Sequence, residues 1–143
     1  MRLTALAGDP DSGVRCRVAA NPNTPPRTLA ALSDDTDHEI RQQVAVNPNT
    51  PPDTLAALAA DTDYSVRLRV AHHPNTAPDT LTELTTDESW CVRQGTADNP
   101  NTPATAVHTL ATDTNPSVAQ AATTTGRVKV FTPPRKHLDR AGS

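Results

Sequence analysis

The sequence predicts an all-α fold, a solenoid of five two-helix repeats of 26 residues each, and three observations carry that expectation. The Asn-Pro step at Asn21-Pro22 recurs in fixed register at Asn47-Pro48, His73-Pro74 and Asn99-Pro100. Leucine pairs keep the same register at Leu3/Leu6, Leu29/Leu32, Leu55/Leu58 and Leu81/Leu84, with Val107/Leu110 last. A β-branched residue and an arginine follow each pair, at Val14-Arg15, Ile40-Arg41, Val66-Arg67 and Val92-Arg93, ending in Val118-Ala119. Five registers without an insertion or deletion mark a repeat array, and a period of this length is that of stacked helical or strand units.

Local chemistry supplies the elements within one unit. Thr50-Pro51-Pro52 reads as a helix start: threonine caps the free amides, and proline at the first helical position loses nothing. Leu55, Leu58 and Ala59 then mark one face at three- and four-residue spacing, and this helix is expected to end near Asp61-Thr62. Asp63 reads as the cap of a second helix, with Val66 and Val70 on one face. The fifth unit supports that boundary, since Asn115 at the cap position is followed by Pro116. The second helix stops at the Asn-Pro step, because proline pushes the residue before it out of the helical region. Each unit is thus a pair of short helices, α/α or α/3₁₀. Four buried apolar side chains do not repay the entropy of ordering a whole unit. A unit is therefore expected to fold only when stacked on its neighbours.

Composition alone points the other way. Leu, Ile, Val and Phe make up 24 of 143 residues, beside 14 prolines, a balance associated with disorder. Nearly all of these apolar residues, however, occupy four columns of the repeat, and a regular placement of that kind overrides the bulk figure. In the last units Thr96 and Ala122 stand where valine is expected, a fading that fits a C-terminal cap. The solenoid is assigned to residues 1–125, and 126–143 to a basic C-terminal tail that is partly disordered. The net charge of −3 divides unevenly: through Thr125 there are 8 basic and 15 acidic residues, and beyond it 5 basic and one acidic.

The N-terminus lacks a basic segment followed by an apolar run, and no stretch approaches the roughly 20 apolar residues of a membrane span. Cys16 and Cys91 fall in different columns and make no metal or redox spacing. A soluble protein in a reducing, cytoplasmic compartment is expected, with no membrane contact. The Leu3/Leu6 helix opens without a threonine-proline start, so uncapped repeat ends are a candidate surface for self-association.

The run V-R-x-x-V-A-x-N-P-x-T-P-x-x-x-L-x-x-L-A-x-D, carried by Val14 to Asp35 and again by Ile40 to Asp61, resembles the leucine-rich repeat variant family over residues 1 to about 124. The resemblance implies a right-handed superhelix of alternating α- and 3₁₀-type helices, HEAT-like and unlike the horseshoe leucine-rich repeats. It also implies protein binding and no catalytic residues. The family's best-known member adds a cysteine-ligated iron–sulfur cluster, for which this chain has no cysteine set, so no cofactor or metal is expected.

Three columns are candidates for function. The arginines Arg15, Arg41, Arg67 and Arg93 would line up as a ridge of phosphate contacts, or would pair with the aspartates Asp9, Asp35, Asp61, Asp87 and Asp113 to stitch neighbouring units. Either Asp35 or Asp61 is near enough in the repeat to accept from Arg41. The stitching reading is preferred, because the arginine is lost at Ala119, where no further unit follows in the pattern. The asparagines, with His73 once in their place beside His72, satisfy backbone groups at the turn. The third column, at the first position of each second helix, holds Ser12, His38, Tyr64, Trp90 and Pro116. There His38, Tyr64 and Trp90 form a candidate partner-binding strip, since Tyr and Trp dominate interface hot spots. Variation at Arg17, Gln43, Arg69 and Gly95, and at Ala20, Val46, His72 and Asp98, reads as a tolerant outer face.

No glycine-rich phosphate loop, paired cysteine and histidine columns or acid/base carboxylate pair supports catalysis. A non-catalytic scaffold that binds a protein partner is the expected function. The alternative is nucleic-acid binding through the arginine column and the basic tail, and the acidic body argues against it.

Overall fold

Asparagine-proline steps and aspartate caps divide the chain into short helices that alternate in length. The computed structural model describes residues 2–124, to which the structural statements below refer. The first helices of the units are α1 (Arg2–Leu6), α3 (Pro26–Leu32), α5 (Pro52–Leu58), α7 (Pro78–Leu84) and α9 (Ala104–Ala111). The second helices are α2 (Ser12–Ala20), α4 (His38–Val46), α6 (Tyr64–His72), α8 (Trp90–Asp98) and α10 (Pro116–Thr124). All ten are α-helices and no strand occurs among the described residues. Of the two alternatives left open by sequence, the units are α/α. Tightening of the 3₁₀ kind is confined to helix ends, as where the Thr28 and Thr54 amides donate to Pro25 and Pro51.

The second helices form one continuous stack, α2 on α4, α4 on α6, α6 on α8 and α8 on α10. Each first helix lies against this stack, α5 for example touching both α4 and α6. Between the two rows runs the core. The leucines Leu29, Leu55 and Leu81 are fully buried, as are Ile40, Val66, Val92 and Val118 from the second helices. Thr96 and Ala122, the residues that depart from valine, are fully buried as well. The Thr96 hydroxyl is satisfied within its own helix by the Val92 carbonyl at 2.8 Å.

The second helices begin as their sequence predicts. Asp11, Asp37 and Asp63 accept from the amides of Gly13, Glu39 and Ser65, and Asn115 accepts from Ser117. Ser89 makes no such bond.

At the first helices the expectation of threonine caps is corrected. Pro25, Pro51, Ala77 and Pro103 occupy the cap positions, and no side chain caps these helices. The hydroxyls of Thr24, Thr50, Thr76 and Thr102 instead donate backwards, at 2.6 Å, to the carbonyls of Val18, Val44, Val70 and Thr96. The physical reason stands four residues beyond each of those carbonyls, at Pro22, Pro48, Pro74 and Pro100. An α-helical carbonyl accepts from the amide four residues on, and proline has none. Threonine fills that vacancy, so the N-P-x-T segment is a helix end and not a helix start.

Candidate functional site

Three ladders and one exposed edge run along the stack. In the first ladder Arg15, Arg41, Arg67 and Arg93 each send Nε and Nη2 to a carboxylate twenty residues on. The Nε contacts to Asp35, Asp61, Asp87 and Asp113 are 2.7–2.8 Å. The Nη2 contacts are 3.1–3.3 Å. The remaining nitrogen, Nη1, donates at 2.7–2.9 Å to the carbonyls of Asp9, Asp35, Asp61 and Asp87, in the arginine's own unit. Arg41 thus takes the carboxylate of Asp61 and the backbone of Asp35, which resolves the choice that spacing left open. Each paired carboxylate also accepts the amide two residues on, from Asp37, Asp63, Ser89 or Asn115.

Asp9 departs from its column. Its carboxylate accepts the Asp11 amide and makes no ion pair with a described arginine.

These contacts set the local electrostatics. The Arg15 guanidinium holds the Asp35 carboxyl below the usual carboxylate range, with the Asp37 amide adding to it against the effect of burial. At Asp113 burial is the largest influence and pushes up, but Arg93 and the Asn115 amide outweigh it and the net direction is down. In return Asp35, Asp61 and Asp87 raise Arg15, Arg41 and Arg67 respectively.

The second ladder joins successive turns. Asn47 donates from Nδ2 to the carbonyls of Ala19 and Asn21 in the preceding unit, while its Oδ1 accepts from the Asn49 amide. Asn99 repeats the pattern on Ala71 and His73. His73 imitates asparagine with a ring: Nδ1 accepts from the Asn75 amide, so Nε2 is the donor to the Asn47 carbonyl at 2.8 Å. Its neighbour His72 is exposed and joins no such network.

The third ladder is one that sequence reasoning missed. Asn49, Asn75 and Asn101 donate from Nδ2 to the carbonyls of Pro22, Pro48 and Pro74, one unit back. The signal was present as the asparagine that follows each Asn-Pro or His-Pro step, exposed in a turn and easily taken for solvated surface.

His38, Tyr64 and Trp90 open α4, α6 and α8, so the stacking of those helices brings them onto one edge of the molecule. His38 is exposed, and Tyr64 and Trp90 are 53% and 46% exposed, two of only three large hydrophobic residues so open to solvent among those described. The edge also carries the helix caps. There the Ser65 hydroxyl and amide hold the Asp63 carboxyl below its ordinary value, with a smaller pull from His38.

The expectation of a uniformly tolerant outer face is corrected at Gly95, which is buried. A Cβ there would lie 3.0 Å from His72 Nε2, 3.2 Å from Leu68 Cδ1 and 3.3 Å from Ala71 Cβ. A side chain at that point would need His72, Leu68 and Ala71 on α6 to give by a few tenths of an ångström. No group of three or more His, Cys, Asp or Glu side chains placed to hold a metal occurs among the described residues. Nor is any of their helices long and apolar enough to cross a membrane.

Comparison with known proteins agrees with this architecture. The family model described as leucine rich repeat variant matches residues 13–37 and 38–63, two consecutive units read from second helix to second helix. A solved structure described as a leucine-rich repeat variant with a novel repetitive protein structural motif is 29% identical, with a TM-score of 0.71. The likeness covers 89% of this chain and 50% of that one, so the chain spans half the length of that structure. No curated protein matches. Two units are thus matched by the leucine rich repeat variant model, and over most of its length the chain is similar in fold to a leucine-rich repeat variant structure.

Proposed function

We propose that this repeat scaffold is non-catalytic and holds a protein partner along the edge formed by His38, Tyr64 and Trp90. The observation that carries the reading is the exposure of the chain's only tyrosine and only tryptophan at equivalent positions of adjacent stacked helices. Rigid, amphipathic aromatic side chains lose little conformational freedom on contact and dominate binding hot spots. The ladder residues support the reading from the other side. The guanidinium groups of Arg15, Arg41, Arg67 and Arg93 are each committed to a carboxylate and a carbonyl. A nucleic-acid partner read through that column would compete with bonds the fold already uses. The basic tail invoked for that alternative lies outside the described residues.

The test pairs affinity capture with melting curves for the Tyr64→Ala/Trp90→Ala double variant. Loss of a captured protein at an unchanged melting temperature is expected. Undiminished capture, or a melting temperature that falls together with capture, would make the strip a packing feature.

A further inference from the structure

Against the C-terminal end of α4, and along α6 from Ser65 to His72, lies a cleft of about 330 Å³ whose lining, mostly apolar, includes Val46, Ser65, Leu68, Arg69, His72 and Pro74. Three features set it apart. Val46 is 42% exposed and is the third of the large hydrophobic residues left open to solvent. The lining holds no carboxylate, whereas four other surface clefts each carry at least one, among them Asp61 and Asp87, Asp35, Asp98, and Glu39. Arg69 differs from the four ladder arginines in making no ion pair with any described carboxylate. In a body with 15 acidic and 8 basic residues through Thr125, a cleft with an unpaired guanidinium and no acid is a local reversal of sign.

The repeat supplies its own controls. Leu68 is replaced by Gln42 and Gln94 one unit either way, Arg69 by Gln43 and Gly95, and Val46 by Ala20 and His72. Only the α4–α6 junction combines a valine, a leucine and a free arginine. A structural requirement of the solenoid would recur at each junction, and this combination does not.

We propose that the cleft docks an acidic peptide segment of a partner. One apolar side chain of the segment enters against Val46 and Leu68, and a neighbouring carboxylate pairs with Arg69, the apolar contact giving affinity and the ion pair fixing direction. The lining takes in neither His38 nor Tyr64, although it reaches Ser65 in the first turn of α6. Peptide binding here and partner capture through Tyr64 and Trp90 are read with different variants, so either can fail without the other.

The experiment is fluorescence anisotropy of the full chain with a labelled decapeptide alternating glutamate and leucine. A lysine–leucine and a glutamate–serine decapeptide serve as controls. Saturable binding of the glutamate–leucine peptide alone is expected. It should weaken by about tenfold or more in Arg69→Glu and in Val46→Ser, and persist in Arg69→Lys and in Arg27→Glu, a charge reversal on another helix. Far-UV circular dichroism of each variant separates lost binding from lost folding. Absence of saturable binding, equal binding of the lysine–leucine peptide, or binding undiminished by Arg69→Glu in a folded variant would overturn the proposal.

Discussion

The Arg67 side chain shows how one residue spans two repeats. It is 7% exposed, its Nε and Nη2 hold Asp87 of the next unit, and its Nη1 holds the Asp61 carbonyl of its own. Removing it leaves a nearly buried carboxylate with the Ser89 amide as its one remaining partner from that set. Arg67→Ala should therefore destabilise by about 1–3 kcal/mol in urea unfolding. An unchanged midpoint would show that the pair contributes nothing to stability. Acid should expose the same chemistry at Asp35, whose carboxyl Arg15 holds below the usual range. A depressed carboxyl contributes stability that is fully present above its unfolded value of about 3.9 and is lost as pH falls through the folded value. In Arg15→Ala that depression is relieved, so the variant should be less stable at neutral pH and lose less on acidification. Parallel loss of stability in variant and parent between neutral pH and pH values below about 4 would contradict this linkage. At this scale the sequence was legible as columns but not always as bonds. The 26-residue register paired arginines with aspartates, yet only coordinates showed that each arginine reaches forward for a carboxylate and back for a carbonyl. Pro51 makes Thr50 resemble a helix start, while the Val44 carbonyl it serves has lost its usual amide donor four residues on at Pro48 and keeps only that of Asn47.

Among elements, the second helices carry the architecture. Their fully buried alanines, Ala19, Ala45, Ala71 and Ala97, are small enough to let one helix lie close on the next. Gly95 takes this furthest, since its Cβ would be in tight contact with His72, Leu68 and Ala71. Gly95→Gln, which installs the residue found at Gln43 in the same column, should cost about 1–3 kcal/mol by forcing α6 and α8 apart. Thermal unfolding checks it, and a melting temperature equal to or above the parent's would mean that the junction has room to spare. The helices themselves were readable from local signals: Asp63 as a cap, Asn115-Pro116 as a start, Val66 and Val70 on one buried face. Gly95 was not, because a glycine in a column of Arg17, Gln43 and Arg69 looks like surface drift. The close approach that requires it is a tertiary fact, with no counterpart in the local sequence.

For the whole molecule, the side-chain bonds that leave a unit run to its neighbours: arginine to aspartate, and turn asparagine or histidine to the carbonyls of the preceding turn. A chain tied together in this way has stability that grows with the number of junctions, since each unit alone buries too little to fix its own backbone. The measurement that bears on this most directly is urea unfolding, followed by far-UV circular dichroism, of chains holding one, two, three, four and five consecutive units. A single unit spanning residues 47–72 is expected to show no helix, and each added unit to raise the unfolding free energy by a similar increment. A helical, cooperatively unfolding single unit, or a stability that does not change with the number of units, would contradict it.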